Sequence, residues 1–137
     1  MVEQDALQNA ANSRFKTMVE DPESVPTQYD NFPFERPADK LWVRWSILPG
    51  TSDQVSTGGG AGSDRFRTPG VCRATIFAPV ESGTKKSHDL AKLIVAAFRA
   101  VTASGVTYRT PSVTNIGRNG KWWVTDVEVP FYTDTIA

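Results

Sequence analysis

His88 is the only histidine in this 137-residue chain, and histidine is the side chain most often used as a general base. A catalytic base of this type needs a nucleophile and an orienting carboxylate brought beside it. Its neighbours Ser87 and Asp89 stand at the start of a helical pattern, where consecutive side chains splay apart. The spacing therefore predicts an exposed residue without chemistry. With one histidine and one cysteine, a metal site would have to be completed by carboxylates, and no spacing suggests one. Asp126 and Glu128 alternate along a strand pattern and share a face, but no second acidic cluster or histidine accompanies them. Cys72 follows the same logic: Arg73 points to the opposite face of its strand, so the thiol is expected to be buried and inert. No catalytic residue, cofactor or metal ligand is expected.

The stretch Gly58-Gly59-Gly60-Ala61-Gly62 has the composition of a phosphate loop but not its chemistry. It lacks the Gly-Lys-Ser/Thr ending that supplies a lysine for phosphate and a hydroxyl for magnesium. A strand, not a helix, is predicted after it, so no helix N-terminus faces an anion. The 17 residues from Pro49 to Arg65 are long for a connection between two strands. They are expected to form a mobile loop that settles only against a partner. The candidate contact residues are Thr57, Gly58, Gly59, Gly60, Ala61, Gly62, Ser63, Asp64, Arg65 and Arg67.

The flanking elements follow from periodicity. Leu7, Ala11, Phe15 and Met18 form one stripe of a helix over Asp5 to Glu20, which Asp21-Pro22 is expected to stop. Residues 21–40 carry Pro22, Pro26, Pro33 and Pro37 and read as an extended connector pinned by Tyr29, Phe32 and Phe34. Leu41 to Leu48 alternates as a strand, with Leu41, Val43, Trp45 and Ile47 on one face and Trp42, Arg44 and Ser46 on the other. A second strand lies within Phe66 to Ala78. A helix over Ser87 to Val101 buries Leu90, Leu93, Ile94, Ala97, Phe98 and Val101, with Ser87 as its N-cap and Gly105 beyond its end. A weaker strand over Val106 to Ile116 is broken by Pro111. Asn119-Gly120 then turns the chain into a last strand, Lys121 to Tyr132. Pro130 cannot donate to a ladder, so that end is expected at a sheet edge or outside the pairing. The fold class predicted is α+β: two helices on one face of a four-stranded, mainly antiparallel sheet, in the order α-β-β-α-β-β, with the glycine-rich loop between the first two strands.

One domain spanning residues 1–137 is expected. With 39% apolar and 22% charged residues the chain can build a core without disulfides or metal. No apolar run approaches the roughly 20 residues that span a bilayer, and the polar Met1–Ala10 does not read as a secretory signal. Fifteen basic residues balance fifteen acidic ones, so no basic excess advertises nucleic-acid binding. The balance is uneven: residues 1–40 hold four basic and eight acidic side chains, and the remainder holds eleven and seven. This split suggests an acidic surface meeting a basic one on a neighbouring subunit. The four tryptophans fall in two pairs, Trp42/Trp45 and Trp122/Trp123. Adjacent Trp122 and Trp123 face opposite sides of their strand, so the outer one is either covered by the connector or used at an interface. Phe32, Phe34, Trp42, Arg44 and Trp122 are the candidate subunit-interface residues.

Three groups of residues, in order and spacing, resemble the phage tail terminator-like family. These are Asn31-Phe32-Pro33-Phe34-Glu35-Arg36-Pro37 with Leu41-Trp42-Val43-Arg44 and Leu48-Pro49-Gly50; Ile76-Phe77-Ala78-Pro79 with a turn at Gly83 and an amphipathic helix; and Trp122-Trp123-Val124 leading to Val129-Pro130-Phe131-Tyr132. The resemblance covers residues 3–132. It implies a structural virion protein that forms a hexameric ring on the head-proximal end of the tail. It implies further that the ring ends tube polymerisation and meets the head-tail connector. The implied partners are the tail tube protein, the connector, the tape measure protein and other copies of the chain, with DNA passing through the lumen without sequence-specific binding. No membrane partner and no cofactor are implied, and assembly is expected in the host cytoplasm. The competing readings are another neck or head-completion protein, a tail tube protein, and a small ligand-binding enzyme.

Overall fold

The computed structural model describes residues 4–50, 53–54, 65–81 and 83–136. The chain opens with α1 (Gln4–Phe15), continues as a π-helical turn over Lys16–Glu20, and finishes in a short α2 (Asp21–Glu23). Leu7, Ala11 and Phe15 are buried as expected, but the next buried residue is Val19, while Met18 is 41% exposed. The π turn accounts for this. Its i→i+5 bonds place more residues in each turn, so the residue four beyond Phe15 comes round to the stripe and the one three beyond leaves it. Pro22 does not stop the helix; it sits in the first turn of α2, where its missing N–H is tolerated. The stop is Ser24, in the left-handed conformation with φ +50°.

The expected four-stranded sheet is corrected: the described residues form a mixed sheet of eight strands, curled into a half-barrel and accompanied by two main helices. The strands are β1 (Thr27–Tyr29), β2 (Trp42–Pro49), β3 (Asp53–Gln54), β4 (Arg65–Pro79), β5 (Thr102–Ala103), β6 (Val106–Tyr108), β7 (Ser112–Asn119) and β8 (Trp122–Ile136); the helix α3 (Lys85–Phe98) lies between β4 and β5. The order is β1-β2-β4-β8-β6-β5, with β3 on β4 and β7 on β8. Among the described residues only β1 and β2 pair in parallel. The additional strands have two or three residues each, too short to show a period of two. Part of the connector is thus a strand: Thr27–Tyr29 registers with Val43–Trp45, and Val43 N–H donates to the Pro26 carbonyl at 2.9 Å.

β4 and β8 pair without interruption from Arg65↔Ile136 to Pro79↔Trp122 and form the spine. Pro130 therefore lies inside the central pairing, opposite Val71, and not at an edge. Its carbonyl accepts from Arg109 N–H at 2.7 Å, on the side away from β4. In an extended residue N–H and C=O point the same way, so the bond proline cannot make faces the gap between β6 and β7. Pro111 opens that gap by dividing the predicted 106–116 strand in two.

α3 begins at Lys85, before the expected Ser87 cap, and ends at Phe98. Gly105 belongs to the β5–β6 turn, where Ser104 and Gly105 both have positive φ (53° and 80°) as a two-residue hairpin requires. α1 and α3 cover one face of the sheet. Phe15 stacks on Trp45 at 4.4 Å between ring centroids, Trp45 on Phe98 at 5.2 Å, and Phe98 meets Tyr108 edge-on at 5.0 Å. This aromatic column runs through a core completed by Val43, Ile76, Ile94, Val127 and Phe131.

Candidate functional site

The side chains with catalytic potential are not brought together. His88 is exposed in the first turn of α3, with its backbone N–H bonded to the Thr84 carbonyl. Among the described residues no group of histidine, cysteine and carboxylates could hold a metal. Glu128 is paired with Arg73 at 3.1 Å across the outer face of the sheet, and Asp126 registers beside Thr75 and Thr114. Cys72 is fully buried, and removal from water pushes its thiol up to about 12, with the Asp30 charge adding to the shift. It is an inert core residue at neutral pH.

Of the predicted interface residues, Phe34, Trp42 and Trp122 gather on the outer face at one end of the sheet; Phe32 lies apart, in the turn after β1 that Asp30 ties to Ile47. Trp42 stacks on Phe77 at 4.2 Å, meets Trp122 edge-on at 6.1 Å, and is roofed by Phe34 at 5.5 Å. The Arg36 guanidinium lies 5.3 Å from the Trp42 ring, and Lys121, 5.3 Å from Trp122, donates to the Ala38 carbonyl at 3.4 Å. The connector therefore covers the outer aromatics. Trp42 is 2% exposed and serves this second core. Phe34 and Trp122 are half-buried, whereas Arg44 and Phe32 face solvent, Phe32 at 61% exposure.

At the opposite end of the spine, Arg67 on β4 forms a bidentate pair with Asp134 on β8 (2.8 and 3.1 Å). The same guanidinium lies 3.9 Å from the Tyr132 ring centroid, and Arg109 lies 4.9 Å from that ring. β3 registers on this stretch through Asp53↔Arg67, and Gly50 N–H bonds the Pro69 carbonyl. The segment between Pro49 and Arg65, read from sequence as a loop without strand, thus contains β3, and Arg65 begins β4. Thr57, Gly58, Gly59, Gly60, Ala61, Gly62, Ser63 and Asp64 lie outside the described residues.

One surface was not expected from sequence. Between α3 and β7 runs a groove of about 480 Å³, lined by His88, Ala91, Lys92, Val95, Ala96, Arg99, Val113 and Asn115. Its floor is apolar, and its lining carries two cations and no acid. β7 is exposed almost throughout, with Val113 at 45% and Ile116 at 56% exposure beside a bulge between Asn115 and Gly117. The spacing of Lys92, Ala96 and Arg99 along one helical row was a usable signal. The strand that completes the groove was not, because nothing local brings residue 113 to residue 95.

Comparison with known proteins adds three findings. A solved chain that carries only a serial designation superposes with a TM-score of 0.74 over 100% of this chain and 99% of its own, at 18% identity, which shows a shared fold. No curated protein matches the sequence. A family model described as phage tail terminator protein matches residues 6–131.

Proposed function

We propose, from the premise that this chain belongs to the phage tail terminator family and is a structural component of a bacteriophage tail, that it forms a closed hexameric ring at the head-proximal end of the tail tube. The ring ends tube polymerisation and offers its other side to the head-tail connector. Tail tube, connector and tape measure proteins are its neighbours, and DNA passes through the lumen without sequence reading. Assembly takes place in the host cytoplasm.

The observation that carries this reading is the family match over nearly the whole chain. Its chemistry is compatible: the acid–base candidates lie apart or are already paired, and the unusual features are contact surfaces. Sedimentation velocity and electron microscopy on concentrated protein test it. A closed ring in exchange with monomer is expected, and tails made without the protein should overrun their normal length. Open-ended tubes of this chain, or monomers that stay monomeric in the presence of tail tubes, would overturn the reading.

A further inference from the structure

We propose that the lateral junction of the ring is a knob-into-groove contact: Phe32 of one subunit enters the groove between α3 and β7 of a second copy. The inference rests on the ring reading above and specifies which two surfaces meet.

A ring joined head to tail needs two different surfaces on one subunit, placed so that each copy offers one and receives the other. Phe32 follows β1, the strand at one edge of the sheet, while the groove lies along β7 on the far side of β8. The two stand at nearly the same level. Asp30 accepts from Ile47 N–H at 3.0 Å and ties the Phe32 turn to β2. Ile47 registers with Cys72 and Cys72 with Val129, two residues along β8 from Val127, the partner of Val113 in the groove. Neighbours placed side by side therefore bring knob and groove together.

The knob is also preorganised. Phe32 N–H bonds the Tyr29 carbonyl at 3.3 Å, and Asn31 takes the left-handed conformation (φ +59°) that closes the turn. Docking a ring held this way costs little ordering entropy. The receiving floor is Ala91, Val95, Ala96 and Val113, a surface suited to an aromatic side chain.

Charge matches shape. Glu35, three residues after the knob, is exposed and has no partner among the described residues. Lys92 and Arg99 on the groove rim are likewise exposed, and their side chains have no ion-pair or hydrogen-bond partner among the described residues. The knob belongs to the acidic first 40 residues and the groove to the basic remainder. A single exposed apolar residue means little by itself; here the largest exposure of a bulky apolar side chain among the described residues, an apolar groove and opposite charges coincide on opposite edges.

The test uses the full chain at a concentration where the wild type is a ring. Phe32→Glu blocks the knob and leaves the groove intact; Ala96→Glu blocks the groove and leaves the knob intact. Both positions are exposed, and circular dichroism checks that each variant folds. Each alone should be monomeric, its ring dissociation raised by about tenfold or more. Mixed, they have one competent junction between them and should form a heterodimer that cannot grow. Independently, Glu35→Lys and Lys92→Glu should each weaken the ring, the pair together should recover it, and added salt should shrink both effects. A wild type that forms no ring defeats the reading of function itself. A wild-type ring that survives both blocking variants, or blocked variants that give no heterodimer on mixing, overturns this junction alone. Rings that persist while binding to tail tubes is lost would move the knob to an axial contact and overturn the lateral assignment.

Discussion

The Arg14 guanidinium donates to the carbonyl of Ala97, 83 residues away, through Nε at 2.9 Å and also through Nη2. Ala97 is in the last turn of α3, where carbonyls lack helical partners and a cation is favoured by the helix dipole. The same guanidinium lies 5.6 Å from the Phe98 ring centroid. One side chain of α1 thereby caps α3 and holds the two helices in register over the sheet. Arg14→Met keeps much of the aliphatic stem and removes the cap. It is expected to cost about 1.5–3 kcal/mol, the range for a hydrogen bond to a charged group, measured by urea unfolding.

Phe98→Ala should be among the most damaging single changes. The ring is fully buried between Trp45 and Tyr108. Its loss should cost about 3–5 kcal/mol. Leu93 is only half-buried at the margin of the same core, so Leu93→Ala should cost less than about 2 kcal/mol. Equal losses in chemical denaturation would show that the two faces of α3 are not distinguished as described.

Cys72 should resist alkylation in the folded protein at pH 8 and react at once in urea. Burial holds its proton to about 12, against an ordinary value of 9.0. The unfolded chain releases that proton first, so this group's contribution to stability is complete below pH 9 and declines as pH rises toward 12. Labelling with iodoacetamide, followed by mass spectrometry, reads the first effect; melts across alkaline pH read the second.

Deleting Thr57 to Ser63 should leave the fold intact, because the spine pairing of β4 with β8 begins beyond it. From its composition the glycine-rich segment is expected to settle only against a partner, and the ring lumen, the tail tube or the connector is proposed as that partner. Tails built with the deletion should then have altered length or join heads poorly. Normal tail length and normal head joining would show the segment to be dispensable.

His88→Ala should leave folding unchanged, since the side chain is exposed, and tail completion too, since no acid–base partner is assembled around it and the apolar floor proposed to receive Phe32 is formed by Ala91, Val95, Ala96 and Val113 and not by His88. A folded variant that fails in tail completion would give His88 a role at the groove it borders.

Much of the fold was legible because long elements impose their period. The α3 stripe and the alternation of β2, β4 and β8 each run over enough residues to fix which side chains turn inward. β1, β3 and β5 were not legible, since two or three residues carry no period and their pairing depends on distant strands. The π turn was hidden for a related reason: Met18 and Val19 are both apolar, and only the backbone decides which is buried. Pro130 is tolerated inside the spine because its missing N–H falls on the Arg109 side of the ladder, which an isolated strand does not reveal. For the candidate site, the sequence is compatible with covering of the outer tryptophan by the connector but leaves it equal to use at an interface, since only the fold brings Phe34 over Trp42. The groove was beyond reach, because its walls meet only once β7 has docked on β8.

The Pro111–Pro130 gap also governs how the chain behaves before it meets any partner. An open sheet edge is a template on which other chains can add strands without limit. Here that edge is cut into two short lengths, one folded back as the β5–β6 hairpin and the other, β7, broken in register by the bulge between Asn115 and Gly117. A stray strand finds no continuous row of donors and acceptors to copy. The interruption that disturbs the ladder thus works against misassociation, keeping newly made chains from fusing edge to edge while they accumulate.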